Sequence, residues 1–413
     1  MLKRHLREIA HYLLVFLRWI VTGIAVGFLC GAVGAVFAIA VEKATHLRQH
    51  NDWLLYLLPL GGLIIAGTYK LFRLPLNMGT DEIIKTVRSQ GKVSLLMAPA
   101  IFVSTVITHL LGGSSGREGA ALQLGGSIGA AVGDLTHPNP TGDSRRLFEL
   151  CGMAALFSAL FGTPLTATVF VLEIIDVGTF HHRGLMPCLV SAVTASLTAK
   201  WIGAPVEPFL LASGLAQTTA VTALKAVGVG AVCAAVSSIF CRTMHLSGKT
   251  FKKWIPNDFI RIAAGGVMVI VLSLICGTHD YNGGGMHVIF AALEGHVVPW
   301  AFVLKIVFTA VTLGSGFKGG EIVPSFFIGA TLGCTAAGLI GLSPALGAAL
   351  GLCGVFCGVT NAPLAAVLLS AELFGTEYLP LFGLAVAVSC MLSGHSSLYH
   401  SQHFSTPKLG HDW

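Results

Sequence analysis

The sequence predicts an all-α, polytopic membrane protein, built as an inverted-topology repeat of broken and tilted helices. Three observations predict it: a shortage of charge, long runs with no charged residue, and landmarks that recur at nearly one spacing. Charged residues make up 11% and hydrophobic residues 54% of the 413 positions, whereas a soluble domain carries about 25% charge. So few charges cannot wet the surface of two or three soluble domains.

The chain opens with Lys3, Arg4 and Arg7, then runs without charge from Trp19 to Val41. That stretch exceeds the about 7–15 apolar residues of a secretory signal and reaches the about 20 that cross a bilayer, so it is predicted as a retained first helix. Charge-free or nearly charge-free runs follow at 53–69, 93–116, 150–172, 184–199, 208–224, 226–241, 262–278 and 298–317. A membrane barrel would show short alternating strands instead. The run from Ile322 to Ala371 has no Asp, Glu, Lys or Arg, yet Pro324, Pro344, Pro363 and many glycines interrupt it, which predicts broken or short helices. The 50 glycines fit close helix packing and non-helical turns at membrane depth.

Three landmarks of the first half recur in the second. Asn77-Met78-Gly79-Thr80-Asp81-Glu82-Ile83 matches Gly283-Gly284-Gly285-Met286-His287-Val288-Ile289. Gly112-Gly113-Ser114-Ser115-Gly116-Arg117-Glu118-Gly119 matches Gly314-Ser315-Gly316-Phe317-Lys318-Gly319-Gly320-Glu321. Thr163-Pro164-Leu165-Thr166-Ala167 with Glu173 matches Ala362-Pro363-Leu364-Ala365-Ala366 with Glu372. The offsets are 206 (Gly79 to Gly285), 203 (Glu118 to Glu321) and 199 (Pro164 to Pro363), which predicts half-repeats over 1–205 and 206–413. The loop expected at 42–54 is neutral in sum, and its counterpart at 242–258 is basic. The positive-inside rule then places the first outside and the second inside, inverting the halves and leaving the N-terminus cytoplasmic. Such a repeat puts a transport site near the midplane, where half-helix ends meet.

Between Gly112 and Gly129, two glycine-rich turns precede Glu118 and a helix-forming stretch follows it. Glycines let free N–H groups approach a ligand, and the helix start adds positive potential, so the construction suits an anion. A second copy lies at Gly314 to Ala330. Glu118 has a plain reading as a dipole-stabilising cap, but an ionisable group between two long apolar runs marks a functional site. Ionised, its carboxylate can occupy the anion position; protonated, it can leave.

Other chemistries find little footing. The Lys/Arg residues form no run with interleaved aromatics, which excludes nucleic acid as a partner. The ten cysteines sit singly in apolar stretches, and Cys353 with Cys357 lacks a second pair, so no metal or cofactor is expected. Gly113-Ser114-Ser115-Gly116 reads as the nucleophile turn of a rhomboid-type intramembrane protease, with His279, His287 or His395 as base. That reading leaves Glu118 and the second turn without a purpose.

Gly116-Arg117-Glu118-Gly119, the Gly319-Gly320 element ending at Pro324, the Pro164-Leu165 and Pro363-Leu364 helix starts and the late Leu398-Tyr399 resemble the CLC family of anion channels and anion/proton antiporters. The resemblance covers nearly the whole membrane region. It implies a homodimer with a separate anion path in each subunit, and the end soon after Tyr399 implies no cytoplasmic regulatory domain. Four departures stand out. Met78 takes the place of the family's usual serine in its first anion element. Ile174 follows Glu173 where chloride exchangers carry a second carboxylate. Ala120 replaces the usual Pro, and Glu321-Ile322 stands where a Phe is usual. Together these look like the fluoride-exporting branch, implying a fluoride/proton antiporter of the inner (cytoplasmic) membrane; a chloride/proton exchanger or chloride channel of the same family is the alternative.

The resemblance implies Glu118 and Glu321 as gating and proton-carrying groups. It implies Met78, Gly79, Gly116, Gly119, Gly320, Ile322, Val323 and Tyr399 at the anion path. Phe326 and Phe327 could contact a dehydrated anion through their ring edges, or simply belong to the core. Glu321 could instead be a structural carboxylate paired with Lys318. Arg117 is expected to hold a carboxylate or carbonyl, Glu173 and Glu372 to share a structural role, and His109 to be a packed neutral histidine.

Overall fold

Prolines, glycines and a few capping side chains decide where the helices begin and end. The computed structural model describes residues 2–76, 78–89, 91, 93–136, 142–206, 208–405 and 408; Asn77 of the first landmark lies outside the described residues. Helix α1 (Leu2–Gln49) contains the expected first span and continues past it. Much of the loop expected at 42–54 is therefore helix, and the chain turns only at His50 and Asn51 before a 3-10 segment, Asp52–Leu57. Then come α2 (Leu58–Leu71), α3 (Thr80–Arg88), α4 (Met97–Leu110), α5 (Glu118–Thr136), α6 (Gly142–Phe161) and α7 (Pro164–Glu173). A two-residue strand, β1 (Asp176–Val177), precedes α8 (Leu185–Ile202).

The run at 208–224 is not a span: it is irregular until Thr219, whose capping box with Thr222 starts α9 (Ala220–Trp254). At 1.5 Å per residue this helix is about 50 Å long, against an apolar layer of about 30 Å. Its basic end, expected as a loop at 242–258, is thus helical through Trp254. Asn257 accepts the Phe259 and Ile260 amides to begin α10 (Asp258–Cys276). The chain continues through α11 (Met286–Leu293), α12 (Ala301–Ser315), α13 (Ile322–Leu339), α14 (Pro344–Thr360), α15 (Pro363–Phe374) and α16 (Leu379–Leu392) to β2 (His403–Phe404). β2 pairs in parallel with β1, His403 opposite Asp176. The run at 322–371 is thereby cut into α13, α14 and α15, with Pro344 and Pro363 in the first turns of α14 and α15, where a missing N–H costs nothing. Among the described residues, six helical stretches are long and apolar enough to cross a membrane.

The repeat shows in the packing. α5 and α6 touch backbone to backbone, since a Cβ on Gly125 would meet the Gly152 carbonyl oxygen at 2.2 Å. α13 and α14 do the same at Gly333 and Gly347, where the clash would be at 2.0 Å. The two halves also exchange helix caps. Glu173, ending α7, accepts the Leu364 and Ala365 amides at 3.1 and 2.8 Å at the start of α15. Glu372 on α15 accepts the Leu165 and Thr166 amides at 2.9 and 2.8 Å at the start of α7. Each carboxylate satisfies orphan N–H groups and meets the positive end of the other half's helix.

Candidate functional site

α5 and α13 begin against each other in the middle of the molecule. The turns before them form an antiparallel pair: the Gly116 N–H donates to the Gly320 carbonyl, and the Gly320 N–H to the Gly116 carbonyl, both at 2.7 Å. Glycine is required by this approach, because a Cβ on Gly320 would lie 2.5 Å from the Gly119 nitrogen. One on Gly116 would lie 2.2 Å from Oε2 of Glu118, so the missing side chain leaves the carboxylate its seat.

Glu118 is fully buried. Its Oε2 accepts the Val323 N–H at 3.1 Å, in the first turn of α13, while Oε1 has no partner. The side chain lines a cavity of about 310 Å³ together with Gly116, Arg117, Val323 and the turn Asn282 to Gly285. A carboxylate thus occupies the kind of helix-end position that favours an anion, with a cavity beside it.

The first element lies close by. Gly79 is the N-cap of α3, and a Cβ on Gly119 would come within 2.7 Å of Thr80 Oγ1, so the starts of α3 and α5 abut. Met78 is partly buried against the core. Ile322 is fully buried at the start of α13. Tyr399 is buried with its hydroxyl unpartnered and borders a second cavity of about 200 Å³ with Arg242, His245 and His400. The Ser401 amide donates to Asp81 on α3 at 2.7 Å, which ties the tyrosine's segment to the first element.

Several side chains land elsewhere. Glu321 caps nothing, and its Oε2 is unpartnered. The pairing with Lys318 is not formed: Lys318 donates to the Leu76 and Met78 carbonyls instead. Phe326 packs among Phe161 and Phe356, and Phe327 lies beside Tyr281 and Lys305; neither lines the cavity at Glu118. Arg117 reaches the Leu160 carbonyl. His109 is buried and Ser115 Oγ has no partner, so the protease-like turn has no base beside it among the described residues.

Sequence reasoning missed two residues. Asn282 holds the Gly112 turn by donating to its carbonyl at 2.7 Å. Lys305, fully buried on α12, donates to the Tyr281 and Gly283 carbonyls at 3.1 and 2.7 Å. Lys305 had a signal: it is the one charged residue inside the run 298–317, where a charge deserves a reason.

Two broken helices meeting N-terminus to N-terminus across an inverted repeat, with a buried carboxylate between them, define a helical membrane transport protein. A sequence profile of the voltage gated chloride channel family matches residues 61–394, and the chain belongs to that family, the CLC proteins, whose members are channels and transporters rather than enzymes. It is 34% identical over 403 residues to a chloride/fluoride channel protein of Pseudomonas syringae pv. tomato, covering 95% of this chain and 87% of that protein. A voltage-gated ClC-type chloride channel, ClcB, of Salmonella typhimurium is 26% identical over 354 residues, 82% of this chain and 83% of that protein. Among solved structures, a CLC-type fluoride/proton antiporter superposes with a TM-score of 0.89 at 31% identity, over 94% of this chain and 98% of that one. A slow cyanobacterial chloride/proton antiporter shares the fold, with a TM-score of 0.77 at 20% identity over 91% and 94% of the two chains.

Proposed function

We propose that the protein is a fluoride/proton antiporter that exports fluoride across the cytoplasmic membrane, with its N-terminus on the cytoplasmic side. The observation that carries this reading is the seat of Glu118, whose carboxylate accepts a helix-start amide through Oε2 while Oε1 is unpartnered. Ionised, the side chain competes with the anion for the amides of α5 and α13; protonated, it no longer needs them and yields the position, carrying its proton. Gly116, Gly119, Gly320, Ile322 and Val323 supply the backbone of this position. Met78, Gly79 and Tyr399 border the route to it. Glu321 is the second proton-handling candidate, since Ile174 removes the usual inner one. Fluoride, small and strongly hydrated, requires strong donors, and backbone N–H groups at helix ends are such donors. The similarity to the structure of a fluoride/proton antiporter supports the same choice.

The protein is proposed to act as a homodimer with one path per subunit, each subunit divided into half-repeats at 205/206. Purified protein in fluoride-loaded liposomes should release fluoride while taking protons inward. Chloride moving as fast as fluoride would make it a chloride/proton exchanger, and anion flux without proton flux would make it a channel.

A further inference from the structure

Two lysines that the mechanism above leaves unused are buried in the protein interior, and each directs its ammonium to main-chain carbonyls rather than to a carboxylate. Lys305 on α12 donates to Tyr281 and Gly283 and sits over the Phe327 ring at 5.0 Å. Lys318, in the turn between α12 and α13, donates to Leu76 and to Met78, the latter at 2.8 Å, and sits over the Tyr69 ring at 4.5 Å. An ammonium at such depth is costly and marks function.

The two lysines are not copies of each other. At the offset of 203 that relates Glu118 to Glu321, Lys318 corresponds to Ser115 and Lys305 to Phe102. Yet both bind carbonyls two residues apart in the segment leading into a short helix, 76 and 78 before α3, 281 and 283 before α11. The repeat did not supply the lysine twice, so the need for a cation at this place comes from the segments themselves. Carbonyl oxygens facing an anion route repel the anion. An ammonium donating to two of them offsets their charge and fixes the segment's direction.

At Lys318 the tether also crosses between the halves: it fastens the residues before α3 to the turn that opens α13, while the start of α3 abuts the start of α5 at Thr80 and Gly119. We propose that Lys318 is a positioning and specificity-determining residue for the anion: through the Leu76 and Met78 carbonyls it sets the spacing of the helix starts that receive a small, strongly hydrated ion. With the tether cut, the first element relaxes and admits a larger ion. Lys305 performs the same fastening on the turn Tyr281 to Gly283, which borders the cavity at Glu118. The inference rests on the anion-transport reading above.

The test compares Lys318→Met, Lys318→Gln and Lys318→Arg with the native protein in two measurements. Hydrogen exchange in detergent reads the 74–81 segment, and proteoliposome efflux reads the fluoride-to-chloride ratio. Lys318→Met should speed exchange of those amides and lower the ratio by about tenfold, the scale of losing one charge-assisted hydrogen bond. Lys318→Arg should stay within about threefold of native in both readouts, since the charge and donors remain. Should Lys318→Met fail to fold, Lys318→Gln, which keeps one neutral donor, should show an intermediate ratio. Faster exchange with an unchanged ratio would overturn the specificity role, and unchanged exchange would overturn the tether. If the native protein moves chloride but no fluoride, the function proposed above fails by itself; the variants are then scored on the chloride-to-bromide ratio, and an unmoved ratio still rejects the role of Lys318.

Discussion

The amide of Val323 and the carboxylate of Glu118 stand 205 residues apart in the chain and 3.1 Å apart in space. The bond joins the two halves at the point where each contributes a helix start, and it exists only while the carboxylate accepts through Oε2. Any event that moves the Glu118 carboxyl group away frees that amide.

Glu118→Gln keeps the shape of the side chain but cannot ionise or carry a proton. Proton uptake coupled to fluoride efflux should fall by about 100-fold or more, the scale of a lost general acid-base group, as read by a pH dye beside a fluoride electrode. Intact coupling would refute the proposed mechanism.

Glu321→Gln separates two routes for the proton. If protons reach Glu118 through Glu321, whose Oε2 has no partner, coupling is lost in this variant. If Glu118 swings along the anion path itself, coupling persists, and the stoichiometry measured by reversal potential is unchanged.

Met78→Ser restores a hydroxyl donor beside Gly79. Chloride should then compete better with fluoride, by about tenfold for one hydrogen bond to an ion, in competition efflux assays. An unchanged ratio would assign Met78 to packing.

Glu372→Gln weakens the cap on Leu165 and Thr166, and Glu173→Gln the cap on Leu364 and Ala365. Each should cost about 1 kcal/mol of stability, read as a lower midpoint of thermal unfolding in detergent, with the double variant close to additive. A rise in stability would contradict the capping geometry.

Outside the membrane-spanning helices, the loop carboxylate of Asp176 is partly buried, which taken alone would raise its pKa. Hydrogen bonds from His181 and Arg146 outweigh that burial and hold it below the ordinary carboxylate value. A folded-state pKa below the unfolded one means its contribution is full above about pH 4 and disappears as pH falls through the depressed value. Exchange protection of the paired strands at 176–177 and 403–404 should therefore persist at pH 5 and fail only in stronger acid. Loss already at pH 6 would show that the Asp176 carboxylate is not what holds the strands.

The helical membrane class, the repeat and the two glycine turns that open α5 and α13 were legible because they rest on charge-free runs, glycine turns and proline starts, which are local chemistry. The helix ends were less so. Runs of apolar residues do not say whether basic residues beyond them stay helical, as in α9, or whether a run stays irregular, as at 208–219. The strand pair at Asp176 and His403 was invisible, since two-residue pairing between segments 227 apart has no periodicity. A Glu321–Lys318 pair was one of two readings the sequence left open for Glu321; sequence shows charges but not carbonyls, and the ligands of Lys318 are carbonyls.

The exchange of caps by Glu173 and Glu372 has a consequence for synthesis. The Leu165 and Thr166 amides are made about 200 residues before Glu372, an interval of about 10–40 s at ordinary elongation rates. Until then α7 has an open start, and a chain halted after α8 never closes it. Completion of α15 therefore finishes α7, and a truncated first half should be recognised by membrane quality control as unfinished.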